Sequence, residues 1–327
     1  IDVNESPSIA TTEISDIAEG VSSVATISAS DPDVGTSLTY SLVDSNGTKD
    51  EGLLSIDSST GVVAFISAPN FETPTDVGAD NKIEFSVLVS DGSLEVSQDY
   101  SFSITNVNEA PTISSSSFSI AEGSTAIGTI AASDPDASST LSYAISGTDS
   151  SKFSINASSG AVAFLSPPDF ESPTDNGLDN TYNFTVTVSD GSLSSSQSIA
   201  VAVGNVNEAP SFSIASAQSY VENSGATISV AANDPDASSS LTYTLSGTDA
   251  SKFTISSSGV LSFSSAPDYE APSDSGSNNI FNVSVAVSDG VNSSSVALVI
   301  SLTDDTSDNY GIRLPAQVAL AELKKES

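Results

Sequence analysis

The chain has 327 residues, 42 acidic side chains against seven basic ones, and a formal charge of −35. That balance excludes binding to nucleic acid through phosphates or to an anionic membrane surface, and it should attract cations. There is no Cys and no His, which excludes disulfides and thiolate metal sites and removes the commonest general base and transition-metal ligand.

Apolar residues make up 38% of the chain, without Met or Trp. Abundant Ser and Thr beside scarce Lys and Arg favour strands and turns over helices. No apolar run reaches the ~18 residues that a membrane helix needs. No signal peptide opens the sequence, and we expect a segment of a longer array with its targeting signals elsewhere.

The chain begins with Asp2-Val3-Asn4-Glu5-Ser6-Pro7, which returns as Asn106-Val107-Asn108-Glu109-Ala110-Pro111 and again as Asn205-Val206-Asn207-Glu208-Ala209-Pro210. A mark that recurs after about a hundred residues separates domains, because a unit of that length can bury its own core. The closing Pro blocks helix and inner-strand pairing. The expected division is a linker over 1–7, repeats over 8–108, 109–207 and 208–305, and a tail over 306–327.

Each repeat reads as short strands separated by turns. In the second, strands are predicted near 127–133, 141–145, 152–155, 161–164 and 198–203. Tyr182, Phe184, Val186 and Val188 alternate with polar residues, the period-two pattern of a half-buried strand. Phe85, Val87 and Val89 match them in the first repeat, and Phe281, Val283, Val285 and Val287 in the third. Each such strand runs into a Ser-Asp-Gly turn, at Asp91, Asp190 and Asp289. About seven short strands per hundred residues imply an all-β, antiparallel β-sandwich in every repeat.

Aromatics recur in step: Tyr40, Tyr143 and Tyr243; Phe65, Phe164 and Phe263; Phe71, Phe170 and Tyr269. That regularity indicates core packing, whereas a sugar-binding platform would call for exposed, unrepeated rings. After Thr303 the pattern breaks, and Asp304-Asp305-Thr306-Ser307-Asp308-Asn309 stands where the linker is due. The Ala/Leu/Glu/Lys-rich end that follows reads equally as a remnant, the start of another domain or a docking helix.

Four acidic motifs recur in order. The first is a lone Glu: Glu19, Glu122, Glu222. The second is Asp-Pro-Asp: Asp31/Asp33, Asp134/Asp136, Asp234/Asp236. The third brackets an aromatic: Asn70/Glu72, Asp169/Glu171, Asp268/Glu270. The fourth is the turn Asp: Asp91, Asp190, Asp289. In an extended segment, side chains at i and i+2 point to one side, so paired carboxylates crowd and raise each other's pKa. A bound cation relieves this. Oxygen donors without His or Cys suit Ca²⁺, which accepts six to eight flexible oxygens, better than Mg²⁺. Paired carboxylates also cleave glycosides, but every repeat carries the same set and none is marked as catalytic. The chain reads as a non-enzyme.

In this order the motifs resemble the cadherin domains of large bacterial surface and secreted adhesins, over about residues 1–305. Cadherin repeats carry an early Glu, Asp-x-Asp, Asp-Arg-Glu, a strand-end Asp and a linker Asp-x-Asn-Asp-Asn-x-Pro. The resemblance implies tandem Greek-key sandwiches with Ca²⁺ between neighbours. It implies one ligand set of Glu19, Asn70, Glu72, Asn106, Asn108, Glu109, Asp134, Asp136 and Asp190. A second would be Glu122, Asp169, Glu171, Asn205, Asn207, Glu208, Asp234, Asp236 and Asp289. Half-sites follow at the start (Asp2, Asn4, Glu5, Asp31, Asp33, Asp91) and at the end (Glu222, Asp268, Glu270, Asp304). The linker is one residue shorter than the family's, its leading Asp is Asn at both internal junctions, and Asn70 replaces an Asp. The first junction should therefore bind fewer ions, or bind them more weakly.

One motif lies outside the vertebrate pattern: Pro74-Thr75-Asp76 to Asp80-Asn81, Pro173-Thr174-Asp175 to Asp179-Asn180, and Pro272-Ser273-Asp274 to Asn278-Asn279. It reads either as an added calcium loop or as a polar turn. The resemblance implies an extracellular, calcium-stiffened extender or adhesion region whose partners are calcium and another surface protein or glycan. Two alternatives stay open: a polysaccharide-binding module, or a surface-layer or filament subunit.

Overall fold

The computed structural model describes residues 3–44, 48–137, 139–236 and 240–306. Asp2 and the tail beyond Thr306 lie outside the described residues.

The first repeat contains β1 (Ser8–Ile9), β2 (Ile17–Ala18), β3 (Ser23–Thr26), β4 (Ala29–Ser30), β5 (Thr39–Leu42), β6 (Leu54–Ile56), β7 (Val62–Phe65), β8 (Lys82–Ser90) and β9 (Glu95–Thr105). One sheet has the order β2-β9-β8-β5, a second β3-β7-β6, and β1 pairs with β4. Pairing is antiparallel except between β2 and β9, which run parallel with Ile17 opposite Ile104. The same orders recur in the other repeats, so the chain holds three β-sandwiches in tandem. Among the described residues two compact units divide it, 3–118 with 125–166 and 182–201, and 119–124 with 167–181 and 202–306. The dividing line runs through the middle repeat.

Alternation makes these strands. Along β8, Ile83, Phe85, Val87 and Val89 are all buried, while Lys82, Glu84 and Ser90 face outward. Each such side chain contributes roughly 1.5–3 kcal/mol when removed from water. Opposite them, Leu54, Val63 and Phe65 come from the three-stranded sheet, while Tyr100, Phe102 and Ile104 lie beside them on β9 of the same sheet. Phe85 stacks on Tyr100 with ring centroids 5.4 Å apart, and Phe65 meets Phe102 edge-on at 6.0 Å. In the middle repeat Phe164 meets Tyr182 edge-on at 5.0 Å. The repeated aromatics are buried or half-buried, apart from Tyr269 at 38% exposure. This is a core, as their spacing indicates.

The predicted strand over 127–133 proves to be two, Ala126–Thr129 and Ala132–Ser133, which pair in different sheets. Ile130, 1% exposed, sits at the break, and its N–H goes to Gly160 O rather than to a ladder.

Candidate metal centre

Glu19, Glu72 and Glu109 arrive from three places: the end of β2, the loop after β7 and the linker after β9. One carboxylate oxygen of each lies within 4.8 Å of the others. Glu19 is held hard. Its Oε2 accepts the N–H of Phe71 at 2.8 Å and its Oε1 that of Val107 at 2.8 Å, so one buried carboxylate ties loop to linker. Its own N–H donates to Thr105 O, the end of β9.

The second motif closes on the same linker. Asp136 Oδ1 accepts Asn106 Nδ2 at 2.7 Å and Asp136 Oδ2 accepts the N–H of Glu109 at 2.8 Å. Asp134 Oδ1 accepts the N–H of Asp136 at 2.9 Å. Asn108 Nδ2 donates to Asp190 Oδ2 at 2.8 Å. Thus eight of the nine residues expected at this junction converge.

The exception is Asn70. Its exposed side chain turns back on its own loop, where Oδ1 accepts both the N–H and the hydroxyl of Thr73 at 2.7 and 2.6 Å. Its one carbonyl oxygen is thereby committed to a turn.

The second junction repeats the arrangement. Glu122, Glu171 and Glu208 come within 4.8 Å of one another. Glu122 accepts the N–H of Phe170 at 2.6 Å and of Val206 at 2.8 Å. Asp236 accepts Asn205 Nδ2 and the N–H of Glu208, each at 2.9 Å, and donates its own N–H to Asp234. Asn207 Nδ2 reaches Asp289 at 2.8 Å, and its carbonyl accepts Asn292 Nδ2 at 2.8 Å. Asp169 caps its own turn through Ser172 N–H at 2.9 Å, as Asn70 does, although its charge still bears on Glu171 and Glu208.

Both ends carry matching halves. At the start, Asn4 Nδ2 donates to Asp91 at 2.9 Å, Glu5 N–H to Asp33 at 3.0 Å, and Asp33 N–H to Asp31 at 2.8 Å. At the end, Glu222, Asp268 and Glu270 gather within 4.8 Å, and Glu222 accepts the N–H of Tyr269 and of Asp305. Asp304 stands where Asn106 and Asn205 stand in the other linkers.

Electrostatics show the strain in these clusters. Burial, and then the charges of Glu19 and Asp136, push Glu72 up from the usual carboxylate range. Burial and the charges of Glu19, Glu72, Asp136 and Asp134 do the same to Glu109. Glu171 and Glu208 are raised by burial and by Glu122 and Asp236. The turn acids go the other way: Ser192 N–H and Asn108 lower Asp190, and Asn207 and Val291 N–H lower Asp289.

The donor set fits a hard cation. Glu72 Oε2, Glu109 Oε2, Asp134 Oδ2 and Glu208 Oε2 are buried and accept no hydrogen bond among the described residues. The ion pairs found there, Lys49–Asp99 and Lys82–Glu84, lie elsewhere. A carboxylate oxygen withdrawn from water with no donor is costly, and a divalent cation would supply the missing partner.

The loops from Pro74, Pro173 and Pro272 are polar turns. Asp76, Asp175 and Asp274, 7, 2 and 5% exposed, each spend both oxygens on backbone N–H groups. Asp80, Asp179 and Asn278 likewise cap Lys82, Thr181 and Ile280. These hydrogen bonds give each loop the form of a polar turn.

A cadherin domain family model matches residues 116–204. No curated protein matches the chain. Among solved structures, human CDH23 repeats EC21–23 align with a TM-score of 0.59 and 20% identity, over 90% of this chain and 100% of that one. Mouse cadherin-23 repeats EC22–24 align at 0.53 and 22%, over 92% and 100%. Repeats 1–5 of protocadherin gamma B2 align at 0.55 and 23%, over 93% and 61%. Likeness at this identity shows the fold: three tandem cadherin-like β-sandwiches.

Proposed function

We propose that this chain is a calcium-stiffened extender or adhesion region of an extracellular or cell-surface protein. The observation that carries the reading is the twice-built carboxylate triad, Glu19/Glu72/Glu109 and Glu122/Glu171/Glu208, in which Glu72, Glu109 and Glu208 each keep a buried oxygen with no hydrogen-bond donor among the described residues.

The chain's own residues do most of the work. Glu19 and Glu122 bridge loop and linker; Asp136 and Asp236 grip the linker from the following repeat through its amides. Glu72, Glu109, Asp134 and Glu208 would hold the ion through their free oxygens, with Glu171 and Asp234 beside them. A bound Ca²⁺ neutralises these carboxylates and ties the linker to both of its neighbours. Without it they repel and the linker hinges. With Asn70 committed to its turn, the first junction has one oxygen fewer and is the weaker of the two. The bacterial adhesin setting belongs to this proposal and rests on the sequence resemblance alone.

Extracellular calcium modules bind at roughly 10⁻⁴–10⁻³ M. Calorimetric titration should therefore show saturable heat in that range that is lost in Glu72→Gln/Glu171→Gln. A flat titration at millimolar calcium sinks the reading.

A further inference from the structure

One aromatic residue sits between the two members of each third motif, and its peptide is gripped from both sides. The N–H of Phe71, Phe170 or Tyr269 donates to the early Glu at 2.8, 2.6 and 2.6 Å. Its carbonyl accepts Nδ2 of Asn81, Asn180 or Asn279 at 2.8, 2.8 and 2.9 Å.

Each Asn ends a Pro-Thr/Ser-Asp loop and adopts positive φ, 62, 62 and 63°, a region that Asn tolerates better than most residues. The loop acid holds it there: Asp76, Asp175 and Asp274 accept the Asn N–H at 3.1, 3.1 and 2.9 Å. The Asn carbonyl in turn accepts the N–H of Ile104, Val203 or Leu302, on the strand that leads into the linker. The amide orientation is determined, because a backbone carbonyl only accepts and so must face the nitrogen. Oδ1 of Asn180 and Asn279 is then buried with no hydrogen-bond partner among the described residues. A buried acceptor left without a donor is costly and calls for an explanation.

We propose that Asn81, Asn180 and Asn279 are positioning residues of the metal centres. Each locks the peptide that carries Glu72, Glu171 or Glu270 to the strand entering the linker. The Glu is thereby presented to the ion already placed, and less ordering is left for binding to supply. The inference rests on the calcium reading and deepens it: the hydrogen-bonded turn beside each centre sets how well that centre binds.

Asn180→Gly is the test. Gly keeps positive φ without steric cost, so the change deletes chiefly the side-chain amide. The full chain is titrated with calcium while the backbone N–H resonances of Val107 and Val206, which bond Glu19 and Glu122, report the two junctions separately. The Kd seen by Val206 should rise about tenfold while that seen by Val107 stays put, a split that general destabilisation does not produce. In chelator, amide exchange over 170–172 should speed up with little change in melting temperature. An unchanged Val206 Kd, in a variant whose wild type binds calcium, overturns the positioning role, and so does unchanged exchange. Silence of both amides in the wild type overturns the metal reading itself, a distinguishable result. If Asn180→Gly does not fold, Asn81→Gly moves the test to the first junction with the reporters exchanged.

Discussion

Asn106 donates its side-chain amide to Asp136 Oδ1 at 2.7 Å, a bond between linker and following repeat that needs no metal. Asn205 and Asp236 repeat it at 2.9 Å. Asp at this position could not donate, and it would add a charge for a cation. Asn106→Asp should therefore lower the melting temperature in chelator and tighten calcium at the first junction about tenfold, ~1.4 kcal/mol. Scanning and titration calorimetry read the two effects. Weaker calcium binding by the variant would contradict this account of the linker.

Glu72 is the reverse case. Its pKa is raised in the fold, chiefly by burial and then by Glu19 and Asp136. A group raised by folding stabilises below its unfolded pKa, and that contribution is lost as pH rises through the folded value. At neutral pH in chelator its ionised form is thus a cost. Glu72→Gln should raise the chelated melting temperature by about 2–4 °C and abolish most calcium affinity at the first junction. A variant less stable in chelator would show that no repulsion is stored there.

Asp175 and Asp274 have opposite linkage. Burial acts to raise them, but backbone N–H groups, those of Asp179 and Asn180 for Asp175 and of Asn278 and Asn279 for Asp274, hold both below the usual range. Their contribution is present above the unfolded value near 3.8 and is lost as pH falls through the lower folded value. Stability should drop on acidification below about pH 4, and Asp175→Asn should shrink that drop while costing about 2–4 kcal/mol at neutral pH. Denaturant midpoints across the acid range check both. Parallel curves for wild type and variant would contradict the assignment.

Gly160 offers a test of backbone strain at a residue that is not itself a proposed ligand. It sits at φ +70°, and an added Cβ would lie 2.9 Å from the Tyr143 ring. Gly160→Ala should cost ~1–3 kcal/mol of unfolding free energy, with calcium affinity unchanged by titration.

These cases show what a reader of the chain can see. Tyr182, Phe184, Val186 and Val188 announce their strand because every second residue is buried. Ile17–Ala18 and Ala29–Ser30 are too short to show a period at all. The gathering of Glu19, Glu72 and Glu109 is legible because order and spacing recur three times. Asn70 is not legible as a turn cap, because its choice of Thr73 over the cluster is a local competition between equally plausible acceptor roles. The grip of Asn180 on Phe170 is still less visible, because its partner is a backbone carbonyl, which no residue letter encodes.

Small-angle scattering of the chain, in millimolar calcium and then in excess chelator, decides whether the ion stiffens the linkers. Calcium-clamped linkers predict a longer maximum dimension and a narrower distance distribution with the ion than without it. Superimposable profiles in the two buffers, from protein shown by calorimetry to be calcium-loaded in the first, would contradict it.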